Sequence, residues 1–167
     1  NNQHEANDTK KADNTESSEI KVAETAGFCF GVKRAVDKVY QLIEEGTSPI
    51  YTLGPIIHNE EVVADLATRG VRVISEDMIP DLHQGTVVIR SHGVGKHIYQ
   101  LLEKTDLDYI DVTCPFVLKI HRIVERESTA GKQILIFGDP NHPEVKGICG
   151  WCNGPYTVLD SREEAEN

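Results

Sequence analysis

At 167 residues, 39% hydrophobic and 26% charged, the chain has a globular composition sufficient for one domain or two small ones. Its formal net charge of -10 and pI near 5.1 argue against a general binder of nucleic acid or anionic membrane, so an anionic ligand must be held by local positive groups. No apolar run approaches the roughly 18 residues of a membrane span, and the N-terminus lacks the basic-then-apolar order of a signal peptide, so the expected location is the cytoplasm.

Residues Asn1 to Glu19 contain no aliphatic side chain larger than Ala and read as a disordered tail or linker. From Ile20 onward one phrase repeats five times: a short β-rich run, a loop, and an apolar pattern of helical period. Ile20 to Ala26 leads through Gly27-Phe28-Cys29-Phe30-Gly31 into a helix with Val32, Ala35, Val36, Val39 and Ile43 on one face, ending near Gly46. Ile50 to Leu53 leads through Gly54 to His58 and then Asn59, an N-cap candidate followed by Glu60 and Glu61, with Gly70 closing the helix and a further strand at Val71 to Ile74. Thr86 to Arg90 leads through Ser91-His92-Gly93-Val94-Gly95 into a helix from His97 to Lys104. Tyr109 to Val112 leads through Thr113-Cys114-Pro115 into Phe116 to Thr129, with Pro115 suited to the first helical turn. Gln133 to Phe137 leads through Gly138 to Glu144 into a short apolar turn, and Ser161-Arg162-Glu163-Glu164 opens a further helical pattern.

This alternation predicts an α/β fold of parallel sheets with right-handed crossovers, and a break near Cys114 divides it into two similar lobes, 20–113 and 114–167. Cys29, His58, His92, Cys114 and His142 each fall in a loop just after a predicted strand and near a helix start, the edge at which parallel sheets bind ligands. If the two lobes face each other, these five chemically capable side chains converge on one cleft suited to a phosphorylated ligand beside a thiolate-bound centre. Four cysteines without a secretory signal suggest thiols, metal ligands or redox groups. The Cys149-Gly150-Trp151-Cys152 pair is open between an incidental CxxC and a metal knuckle, and His4, His83, His97 and His121, in the tail, a turn or helical pattern, are expected to be ordinary solvated histidines.

The segments Ala26-Gly-Phe-Cys-Phe-Gly-Val-Lys-Arg-Ala35, Gly54-Pro-Ile-Ile-His-Asn59, Arg90-Ser-His-Gly-Val94, Asp111-Val-Thr-Cys-Pro115 and Asn141-His-Pro-Glu-Val145 resemble, in the same order, the signature loops of the LytB/IspH family of 4-hydroxy-3-methylbut-2-enyl diphosphate reductases. The resemblance implies α/β lobes arranged as a three-lobe trefoil around a 4Fe-4S cluster, with Cys29 and Cys114 as two of its three protein ligands. It implies that His58, His92 and His142 bind the substrate diphosphate, by N-H bonds and by positive charge when protonated, and that Glu144 delivers protons. It further implies an isoprenoid diphosphate substrate, reductive loss of its hydroxyl to isopentenyl and dimethylallyl diphosphates, and an electron donor such as ferredoxin or flavodoxin.

Against that family the second lobe reads as incomplete and the third as absent, and with it the third cluster cysteine, so the chain alone is expected to be inactive. Cys149 and Cys152 match no family ligand by position. Two other readings remain open on the residues: a non-catalytic metal-binding module with Zn on Cys149, Cys152 and neighbours, and a plain diphosphate-binding α/β domain.

Overall fold

The computed structural model describes residues 20–166. The expectation of a disordered tail at 1–19 lies outside the described residues. Six helices and six strands follow in order: α1 (Phe30–Glu44), β1 (Ile50–Leu53), α2 (Glu60–Thr68), β2 (Val71–Ile74), a 3-10 helix (Glu76–Asp81), β3 (Thr86–Ile89), α3 (Lys96–Leu102), β4 (Asp108–Asp111), α4 (Pro115–Thr129), β5 (Ile134–Phe137), α5 (Pro143–Cys149), β6 (Tyr156–Leu159) and α6 (Arg162–Glu166).

Parallel α/β architecture is what the alternating pattern predicts, and it is what forms. The first four strands make one parallel sheet in the order β2-β1-β3-β4, and β5 pairs in parallel with β6 in a second sheet. The two central strands, β1 and β3, are buried along their whole length because both faces are covered. Their side chains divide by the period of two: Ile50 and Val88 join Ala35, Val39 and Leu66 in a core on one face, while Tyr51, Leu53, Val87 and Ile89 join Ile79, Ile98 and Leu102 on the other. A third, smaller core gathers Val124, Ile136 and Ile148.

Local signals explain where the elements begin and end. The Asn59 side chain accepts a hydrogen bond from the backbone N-H of Val62 at 3.0 Å and caps α2, and Pro115 occupies the first turn of α4. Gly70, at φ +90, takes the chain out of α2 in a conformation that favours glycine.

One expectation fails. Ile20 to Ala26 is not a strand: residues 20–29 lie outside regular structure, and Ile20 and Val22 are 90% and 79% exposed. Apolar, β-prone residues form a strand only where an edge offers ladder bonds, and here the backbone instead closes a local turn, Ala26 N-H to Ala23 O. Two further differences are smaller. The third helix stops at Leu102, with Lys104 and Thr105 closing back on Leu101 and Leu102 in tight turns, and the strand β6 has no counterpart in the sequence reading.

Candidate functional site

The register of the main sheet builds the site. Leu53 pairs with Ile74 and Ile89, and Ile89 pairs with Asp111, so the strands end level and the segments that follow leave from one edge. His58 follows β1, His92 follows β3 and Cys114 follows β4. Backbone bonds from Val112 to Ile89 O (3.1 Å) and from Cys114 to Ser91 O (2.9 Å) hold the last two loops together.

Three of the sequence-predicted residues meet in space. The rings of His58 and His92 have centroids 4.9 Å apart, and His142 lies 5.9 Å from each. They come from three loops separated by 34 and 50 residues, His142 from the second sheet's side. His92 is part-buried, its Nδ1 is buried with no hydrogen-bond partner, and its pKa is pushed down to about 4 by burial first, then by His58, Arg90 and His142. At neutral pH it is therefore an uncharged imidazole with an unmet hydrogen-bonding atom.

His142 caps α5: its Nδ1 accepts from the backbone N-H of Glu144 at 3.2 Å. That bond leaves the proton on Nε2, available to a ligand. The Glu144 carboxylate is part-buried and makes no hydrogen bond or ion pair among the described residues.

The two cysteines occupy equivalent places. Cys29 precedes α1 and Cys114 precedes α4, each at the N-cap without its side chain capping the helix, and both are free thiols. Gly31, two residues after Cys29, packs so closely on the other loop that an added Cβ would lie 2.8 Å from the Cys114 Sγ. The Arg34 guanidinium donates to Thr113 O, which ties α1 to the Cys114 loop. Phe28, Phe30 and Phe116 flank the two thiols and are exposed. Among the described residues no three His, Cys, Asp or Glu side chains form a metal-holding group.

A family model described as LytB protein matches residues 20–167. The chain belongs to the LytB family. A 4-hydroxy-3-methylbut-2-enyl diphosphate reductase of Caldanaerobacter subterraneus subsp. tengcongensis is 51% identical over 151 residues, covering 89% of this chain and 52% of the relative. One from Clostridioides difficile is 44% identical over 149 residues, covering 89% of this chain and 53% of the relative. Among solved structures, an (E)-4-hydroxy-3-methyl-but-2-enyl diphosphate reductase, described as the terminal enzyme of the non-mevalonate pathway, superposes with a TM-score of 0.73 at 41% identity, over 87% of this chain and 52% of that one. The Plasmodium falciparum reductase gives a TM-score of 0.79 at 28% identity, over 86% and 45%. The chain spans about half the length of the relatives it matches.

Within this LytB chain the remaining candidates separate clearly. Cys149 and Cys152 pack at the end of α5 against the core of Val124, Ile136 and Ile148, and burial pushes both thiols up. His121 is 1% exposed and stacks on Trp151 at 5.3 Å, a core histidine, while His97 faces Glu76 at 3.3 Å on the surface. Sequence reasoning passed over Arg90. Its guanidinium lies against Gly54, whose added Cβ would fall 1.9 Å from Nη1, and its Nε is buried without a partner. The available signal was an arginine directly after a buried strand and two residues before His92.

Proposed function

We propose that this chain is part of a 4-hydroxy-3-methylbut-2-enyl diphosphate reductase, in which residues 20–113 and 114–167 belong to two lobes of a three-lobe trefoil. The observation that carries the reading is the convergence of three imidazoles from three distant loops at the sheet edge from which Cys114 also leaves. Similarity to reductases acting on a hydroxylated isoprenoid diphosphate supports it.

The chain's residues take the following parts. His58, His92 and His142 hold the diphosphate: His142 donates from Nε2 because its Nδ1 is occupied, and His92 joins it as an uncharged imidazole in the same cluster. Cys29 and Cys114 would supply two thiolates to a 4Fe-4S cluster, and they fit: both are free, neither is used as a cap, and each directly precedes a helix. When bound, such a cluster supplies two electrons and a Lewis-acidic iron for the alcohol oxygen. Glu144, with an unengaged carboxyl beside the His142 cap, delivers a proton to the leaving hydroxyl, so that the C-O bond breaks with water as the product. Two electrons and two protons are consumed in all, and the organic products are isopentenyl and dimethylallyl diphosphates. The electrons come from a carrier such as ferredoxin or flavodoxin. A cytoplasmic location suits this chemistry, and no described helix is long and apolar enough to cross a membrane.

The test is anaerobic preparation of the protein encoded by the whole reading frame, reconstituted with iron and sulfide. Broad visible absorption, a reduced-cluster paramagnetic signal and reduction of the substrate are expected. A colourless protein carrying zinc, with no turnover, would favour the non-catalytic module instead.

A further inference from the structure

A cleft of about 480 Å³ opens beside the histidine cluster, between the end of the main sheet and α5, and none of His58, His92 or His142 lines it. That volume lies within the roughly 300–1,000 Å³ of small-molecule sites. Two cations reach it, Arg90 from the end of β3 and Lys146 from α5. Neither has an ion-pair or hydrogen-bond partner among the described residues, and the Arg90 Nε is buried unpaired. In a chain of net charge -10, two cations without ion-pair partners against one acid in the same cleft form a local positive site. Glu76, the acid on the lining, faces His97 at 3.3 Å.

The fold maintains this arrangement at a steric cost. Gly54 stands at φ +70, and a Cβ there would collide with the Arg90 guanidinium at 1.9 Å, so glycine makes the room in which the charge sits. The rest of the wall is hydrocarbon. Val73 and Met78 are 45% and 44% exposed on it, with Ile74, Val94 and Ile98 buried behind them. Exposed apolar side chains beside unpaired cations match an amphiphile with an anionic head.

We propose that this cleft is a second binding site, distinct from the histidine cluster, for an organic phosphate or diphosphate with a short hydrocarbon chain: Arg90 and Lys146 take the head, and Val73 and Met78 cover the chain. The site itself is independent of the reductase reading, from which only the choice of isoprenoid probes follows.

The experiment titrates the 167-residue chain with geranyl diphosphate, dimethylallyl diphosphate and inorganic pyrophosphate, in a background where His58, His92 and His142 are all changed to Ala and circular dichroism shows the fold retained. One equivalent of geranyl diphosphate should still bind, at least tenfold tighter than pyrophosphate. Arg90→Gln, and independently the exposed Lys146→Gln, should each weaken it about tenfold or more, and Met78→Asp should remove the advantage of the chain. Equal binding of the dimethylallyl and geranyl compounds would point to ligands of the reaction's own size, and tighter binding of geranyl to longer chains; both support the site. Loss of all binding in the triple-histidine background, or binding indifferent to both Arg90→Gln and Lys146→Gln, would overturn the proposal while leaving the histidine reading intact.

Discussion

His92 and His121 are both held near pKa 4, in each case chiefly by burial, against an ordinary value of about 6.5 in an unfolded chain. Between those values the unfolded chain binds more protons than the folded one, so stability falls as pH drops from about 6.5 toward 4 and levels below. The ligand-free chain should therefore be less stable at pH 4.5 than at pH 7 and melt at a lower temperature, the loss staying below the roughly 5 kcal/mol that two groups about two pKa steps into the window would give at about 1.4 kcal/mol per step, because solvent screens the part-buried His92. His121→Gln should flatten that acid limb in thermal melts followed by circular dichroism, and an unchanged limb would show that other groups carry it. Nuclear magnetic resonance of the His92 ring should show no protonation above about pH 5. At Glu144, a Gln replacement in the complete enzyme should lower turnover on the order of a hundredfold while changing substrate affinity little, because a carboxylate contributes protons, not attraction, beside a diphosphate. Normal single-turnover rates with a reduced cluster would remove Glu144 from the proton path.

At the scale of elements, α5 sits where it does because glycines let backbones touch. A Cβ on Gly150 would stand 2.5 Å from the Gly95 Cα, and one on Gly147 would meet Gly93 and Val94 at 3.5 to 3.6 Å. The contact is reinforced by Lys96 N-H to Gly150 O at 3.3 Å and by the Trp151 indole N-H to Val94 O at 2.8 Å. This packing carries His142 to His58 and His92, since His142 begins the same helix. Gly150→Ala should push α5 from the 93–96 loop, cost about 1–3 kcal/mol in urea unfolding, and shift Trp151 fluorescence. It should also weaken pyrophosphate binding without touching any ligand-binding side chain; unaltered fluorescence and binding together would show that the loop yields instead. Asn59→Ala, which removes the α2 cap next to His58, should cost about 1 kcal/mol.

For the whole molecule, the decisive number is two: Cys29 and Cys114 are the thiols proposed for the cluster, and Phe28, Phe30 and Phe116 beside them in sequence are open to solvent. A 4Fe-4S cluster held by two thiolates leaves at least two irons without protein sulfur. Residues 1–167 expressed alone should fold, given three apolar cores and parallel sheets, but should lose reconstituted iron and sulfide quickly and show no turnover. Iron counting after desalting, together with paramagnetic resonance, checks this. Near-stoichiometric, catalytically active cluster would mean that a residue such as Cys149 or Cys152 leaves its packed position to become a ligand.

Periodicity and loop wording in the sequence were enough to determine the parallel α/β class and the starts of α2 and α4, because each depends on local chemistry: β-rich runs, an Asn N-cap, a Pro in a first turn. Tertiary structure decided the rest. Whether Ile20 to Ala26 pairs depends on an available sheet edge, which no local pattern reveals. Whether His92 is charged depends on the burial and the neighbours it acquires from residues 34 and 50 positions away, and whether His121 is surface or core depends on a Trp 30 residues later. Arg90 acquires meaning only through its clearance over Gly54 and its place in a cleft shared with α5, because steric room and solvent exclusion are properties of packed neighbours, not of a position in the chain.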